Sequence, residues 1–287
     1  MKKRSYERLD IKTFGGHLLA TGDLDPIYIA LVRMGMEREK TKRWMVAYWA
    51  YYHAGVASYL SEFEGEDYWD KFRIAAENVE ESPTGDRWER GHERRHYRAA
   101  NAMKSYEDLS SRYRRPEDMV DYIVFGDSPT SDLTLPLAYK DVTKRAQNHV
   151  GFGPWIGFKV ADMLDRVLNI PVEFATKEVF LFKDPKQAAL MLWAQQSPYG
   201  ENAKPKEQAV IDAVVGYLTE HFAPTNLAPP FYDRPVNVQE IETILCKWKS
   251  HMNGHYPLNN DLDDIKNGLN NWAMICPTAA EFRSYMP

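Results

Sequence analysis

Apolar residues recur along this chain at intervals of three and four, and alternation at every second position is rare. The pattern predicts helices. Asp23 to Gly35 opens on Asp-Leu-Asp-Pro, with Ile27, Leu31 and Met34 at helical spacing. Residues 40–62 are apolar almost all round, from Trp44 to Leu60, and predict one long buried central helix. Further helices are expected over 67–80, over the charged stretch 88–110, and over 136–149. Gly151 to Pro154 stops that last helix. A second follows, with Val160, Met163, Leu164, Val167 and Leu168 as its apolar face. Helices over 185–196, 204–221, 237–252 and 261–274 complete the series. Asp118 to Phe125 is a short apolar stretch. Glu81 to Asp86 and Gly126 to Asp132 are turn-rich, and the proline-rich 223–236 reads as an ordered crossing loop. The expected fold class is all-α, compact and multi-helical, with roughly ten helices. It forms a single domain over 1–287, in two lobes (about 20–125 and 133–275) around a cleft.

Composition narrows the picture. With 287 residues, 44% hydrophobic and 27% charged, the chain is an ordinary globular mix, neither disordered nor coiled coil. No run approaches the roughly 20 apolar residues of a membrane helix, so no membrane partner is expected. Met1 to Arg8 is basic with no apolar stretch behind it, so a signal peptide is not expected. Two cysteines, Cys246 and Cys276, fit a reduced, intracellular setting. No P-loop, GxGxxG or GxSxG occurs. The net charge of −5 argues against a general nucleic-acid coat. Yet residues 87–115 hold nine Lys/Arg against four Asp/Glu, a local net of +5.

That basic stretch holds the first candidate chemistry. On the expected helix Arg90, Glu93, Arg94 and Tyr97 share a face, with His96 beside Glu93. Arginine forks suit phosphate or pyrophosphate oxygens, and a solvated helix with internal Glu–Arg pairs is the plain alternative. His92 and His96 match HExxH, and Glu117 lies downstream as a third ligand. Against Zn²⁺ stand Arg94 and Arg95, which would crowd a cation. The glycine turn, Gly151-Phe152-Gly153 before Pro154, has the layout of a helix-hairpin-helix. Such a turn offers backbone N–H groups to a DNA phosphate, with Lys159 one turn inside, although an ordinary αα-corner has the same outline. Lys159, Asp162 and Arg166 are spaced as ion pairs, and a buried Asp162 facing a cleft is a general-base candidate. In 237–252, Lys247 and Lys249 suit an anion, and Cys246 as a nucleophile would need a nearby base. Tyr48, Tyr51, Tyr52 and His53 belong to core, or offer their tips to a base.

Four segments together resemble a known family: Tyr48 to Gly55, Arg90 to Arg98, Gly151 to Asp162 and Glu242 to Ser250. They are similar to the phage α-glutamyl/putrescinyl-thymine pyrophosphorylases, the amino acid:DNA transferases. They also resemble the helical domain attached to 5-hydroxymethyluracil DNA kinases and, more distantly, helix-hairpin-helix DNA glycosylases. The resemblance spans about residues 20–275 and implies a helix-hairpin-helix, glycosylase-like fold.

What it implies is a reaction on double-stranded phage DNA with a modified thymine, in the cytoplasm of the infected host. An amine from a free amino acid or polyamine replaces pyrophosphate on 5-pyrophosphoryloxymethyl-deoxyuridine. The chain lacks the kinase P-loop, so the transfer step is the one it matches. Under this reading Trp49, Tyr51, Tyr52 and His53 wall the base, and Arg90, Arg94, Arg95, Lys247 and Lys249, or Mg²⁺, neutralise pyrophosphate. Glu93, His96, Asp162 and Glu173 are the candidate bases, and Gly151, Phe152, Gly153 and Lys159 meet the DNA backbone. A glycosylase places a catalytic Asp about twenty residues after its hairpin, where this chain has Glu173, which weakens the base-excision alternative. A non-enzymatic DNA-binding module partnering a kinase is the third reading.

Overall fold

The computed structural model describes residues 5–127, 135–174, 181–196 and 206–287. Part of the 126–132 turn and the first residues of the expected 204–221 helix lie outside them. The described chain is all-α, with one parallel pair of two-residue strands, β1 (Leu137–Ala138) and β2 (Val172–Glu173), in register Leu137 to Val172. Among the described residues no helix is long and apolar enough to cross a membrane. By its contacts the chain divides into two compact units.

One unit comprises residues 1–26, 174–262 and 287. Its helices are α1 (Ile11–Thr21), α10 (Lys183–Gln196), α11 (Glu207–Phe222) and α12 (Val238–Met252). They bury a shared core of Phe14, Leu18, Leu192, Ile211, Phe222, Ile244 and Trp248. An Asn237 cap and Glu240 close the α12 N-terminus as a capping box.

The other unit comprises residues 27–173 and 263–286. In it lie α2 (Pro26–Met34), α3 (Arg38–Tyr51), α4 (Ala54–Leu60), α5 (Gly65–Glu77), α6 (Ala100–Arg112), α7 (Pro116–Phe125), α8 (Tyr139–Gln147) and α9 (Pro154–Arg166). After α13 (Asn260–Gly268) come α14 (Asn270–Ala273) and α15 (Pro277–Tyr285). Trp44, Trp49, Tyr51, Tyr68, Phe72, Trp272 and Phe282 fill the interior.

Several expectations change: α1 and α7 are helices where none was expected, and 261–274 divides into α13 and α14. The long helix over 40–62 is two helices, because Tyr52 adopts φ 53° and ends α3, after which His53 caps α4 through its ring nitrogen. The helix expected over 88–110 begins only at Ala100. Residues 88–98 form a loop with a single 3₁₀ turn at His92–Arg94. The shared helical face of Arg90, Glu93, Arg94 and Tyr97 therefore does not exist. The chain also ends in α15, which the pattern over 261–274 did not anticipate although Pro277 sits at its first turn.

Candidate active site

The 88–98 loop is held by the ends of helices. A helix leaves its last carbonyls without partners. Arg90 donates to Ala75 O in the last turn of α5 at 2.9 Å, to Trp88 O at 3.0 Å, and to Tyr97 O. Gly91 N–H donates to Tyr51 O at 2.9 Å, and Arg94 Nε to Ala50 O at 2.8 Å, at the end of α3. Cations favour that end of a helix. Gly91 is required here, since a Cβ would stand 2.3 Å from Tyr52 O. Arg94 Nη1 then reaches Gly151 O at 2.8 Å, joining the loop to the turn between α8 and α9. That turn needs Gly151, whose φ is 85°.

Arg94 is buried, at 8% exposure, with its guanidinium 4.3 Å from the Tyr97 ring centroid. Among the described residues no carboxylate pairs with it, and its Nη2 has no hydrogen-bond partner. Burial pulls its pKa below the usual arginine value, yet guanidinium stays protonated. A buried cation without a counter-charge is costly. Beside it opens a pocket of about 240 Å³. Glu93, His96 and Tyr97 of the loop line it with Asn101 and Lys104 of α6 and with Val150 and Gly151 of the turn. Asn101 and Lys104 carried no signal of their own in the sequence. They enter because α6 starts where a helix was expected to be already under way.

The HExxH histidines meet an arginine. Arg95 donates Nη1 to His92 Nε2 at 2.8 Å and Nε to His96 Nε2 at 3.1 Å. Glu117 is buried against Arg43 at 2.5 Å. Among the described residues no group of three His, Cys, Asp or Glu is placed to hold a metal ion.

Other candidates are spread through the fold. Trp49 and Tyr51 are fully buried, with Nε1 of the former 3.2 Å from Met163 S and the hydroxyl of the latter donating to Phe72 O at 2.8 Å. These rings are core and present no face to a base. Tyr52 is half-buried, stacked on Tyr48 and tilted against Trp155 at 5.0 Å. His53 lies 3.5 Å from Glu89, and burial holds its pKa below the ordinary value. Phe152 is buried and Gly153 exposed at the α9 N-terminus. Asp162 is buried, accepts from Tyr28 OH at 2.8 Å, and stands 3.6 Å from Lys159 and 3.5 Å from Arg166. Lys159 is thus turned inward to Asp162 and not to the turn. Glu173 is exposed on β2.

The lysines of α12 belong to the other unit. Lys247 donates to Asp23 O and Leu24 O and pairs with Asp261 at 2.7 Å, while Lys249 holds Asp184 and Gln187 of α10. Neither cysteine is in a disulfide, and burial pushes the Cys276 thiol up to about 11, out of nucleophile range.

A sequence profile described as amino acid:DNA transferase matches residues 19–255. The chain is 49% identical, over 296 aligned residues covering 99% of it and 98% of the relative, to the glycinyltransferase of Pseudomonas phage PaMx11. It is 26% identical over 276 residues, 93% of this chain and 79% of the relative, to the putrescinyltransferase of Delftia phage PhiW-14.

Proposed function

Because the chain belongs to the amino acid:DNA transferase family, whose members join an amino acid or amine to DNA, we propose that it transfers glycine to a modified thymine in phage DNA. The acceptor is 5-pyrophosphoryloxymethyl-deoxyuridine in double-stranded DNA. The lone pair of the glycine nitrogen forms a bond to the 5-methylene carbon. The carbon–oxygen bond to pyrophosphate breaks, and pyrophosphate leaves with that electron pair. The proton shed by the nitrogen passes to a carboxylate.

The observation that carries a site for this chemistry is the pocket beside Gly151, lined by Arg94 and Glu93. A general base must reach the amine. Glu93, a carboxylate in the pocket lining, is the base of this reading, and His96 Nε2 accepts from Arg95. Asp162, inside the α9 interior, is too enclosed by Tyr28, Lys159 and Arg166 to meet a substrate. The turn at Gly151 and Gly153 suits the DNA backbone, since the α9 N-terminus offers unpaired N–H groups there. Tyr52 and Trp155, half-buried and in contact, are the aromatic surface for an extruded base. Choice of glycine over a polyamine rests on the similarity along the full length to the glycinyltransferase.

The test is duplex DNA carrying the pyrophosphorylated base, incubated with glycine, serine, glutamate and putrescine. Glycine should yield a glycine-bearing nucleoside by mass spectrometry together with one pyrophosphate per product. Absence of product with every amine, from folded protein, would sink the reading.

A further inference from the structure

We infer that the pocket formed by Arg94, Glu93 and Lys104 beside Gly151 is the binding site of the incoming α-amino acid, held at both ends of its zwitterion. The inference rests on the transferase reading and names which reactant this pocket takes. Arg94 supplies the first reason. Its Nε and Nη1 are committed to Ala50 O and Gly151 O, so the guanidinium is fixed in orientation before any ligand arrives. Its Nη2 is left over, buried and without an acceptor, on a residue that lines the pocket. One fixed, desolvated donor on a cation with no carboxylate partner calls for an anionic oxygen. Lys104, with no ion pair among the described residues, adds a second positive charge to the lining.

Glu93 supplies the second reason. A wholly anionic ligand such as pyrophosphate would be repelled by that carboxylate, whereas an amino acid presents an ammonium to it and a carboxylate to Arg94. Size agrees. At about 240 Å³ the space is below the roughly 300–1,000 Å³ range of drug-sized ligand pockets, and suits a ligand of a few heavy atoms. A diamine has no carboxylate for Arg94, and its second ammonium would face that cation. The pocket therefore selects amino acids over polyamines. As a carboxylate of the lining, Glu93 is also the group that takes the amine's proton in this reading.

Glycinamide keeps the amine of glycine and removes only its carboxylate charge, so it isolates the contact. Wild-type enzyme and Arg94→Met compete for glycine and glycinamide in one reaction on pyrophosphorylated DNA, with the two nucleosides separated by mass. Comparison of one ratio between two enzymes cancels the different basicities of the two amines. The expected wild-type preference for glycine falls about 10²-fold in Arg94→Met, the size expected for a charged hydrogen bond and its ion pair. Arg94→Lys, which keeps the charge and loses the fixed fork, should fall about tenfold, and serves if the methionine variant fails to fold. A ratio unchanged in both variants overturns the inference. So does an unchanged ratio with weaker inhibition by added pyrophosphate, which would assign the pocket to the leaving group. If wild-type enzyme makes no product with any amine, the transferase reading itself fails, and that outcome is separate.

Discussion

Two basic stretches read alike in the sequence, 87–98 and the second half of α12, and the fold uses them differently. On α12 each lysine is spent within its own unit. Lys247 closes the carbonyls of Asp23 and Leu24 and pairs with Asp261, and Lys249 ties α12 to α10. In 87–98 Arg90 and Arg94 do such work at the ends of α5 and α3, with one remainder. Arg90 makes three carbonyl contacts, and Arg94 makes two and keeps Nη2 buried and unpaired beside a pocket. Arg145, donating to Ile123 O and Val124 O at the end of α7, repeats the pattern. Arg90, Arg94 and Arg145 thus act first as plugs for helix C-termini. What marks a binding site is the donor that remains once those carbonyls are satisfied.

The difference can be broken by substitution. Arg90→Met should be the most damaging to the fold. It strands three carbonyls around a half-buried position, with a loss of about 3 kcal/mol in urea unfolding. If it unfolds like wild type, the helix-plug account is wrong. Gly91→Ala should cost about 1–3 kcal/mol, because the new methyl group meets the Tyr52 carbonyl and the loop must retreat from α3. Its glycine transfer should fall further than its stability, since Arg94 moves with the loop. Lys249→Met, by contrast, removes an exposed tie worth at most about 1 kcal/mol and should leave transfer unchanged.

A smaller effect depends on pH, and burial shifts His53 and His149 of the other unit in the same direction. In the α12 unit, His251 accepts from Leu9 N–H at 3.0 Å and donates to Tyr256 O at 2.8 Å, which fixes the neutral ring. Burial lowers its pKa from 6.5. A lowered histidine contributes stability that is present above the unfolded pKa and is lost as pH falls through the folded one. Unfolding free energy should therefore decline below about pH 6.5, and His251→Gln should make that decline shallower. A slope unchanged by the substitution would remove His251 as its source.

Much of the helix order was legible, because α2, α5, α8, α9 and α12 carry their apolar faces and end signals locally. The break at Tyr52 was not, since a positive φ in a tyrosine is enforced by its surroundings and has no local signal. Residues 88–98 looked helical because their polar residues are acceptable helix formers, and nothing local reveals that their arginines answer to distant carbonyls. For the same reason Glu93, Arg94, His96 and Gly151 stood out by type, while Lys104 and Asn101 did not. Trp49 and Tyr51 looked like base-stacking residues and are core. An aromatic run does not disclose which ring faces remain exposed.

If the remainder on Arg94 holds the amino acid, it does chemistry that the lysines of α12 do not. The most direct measurement is the KM for glycine in Arg94→Met set beside Lys249→Met, on pyrophosphorylated DNA. KM should rise about 10²-fold in the first and stay at the wild-type value in the second. An unchanged KM in Arg94→Met, or a rise confined to Lys249→Met, would contradict it.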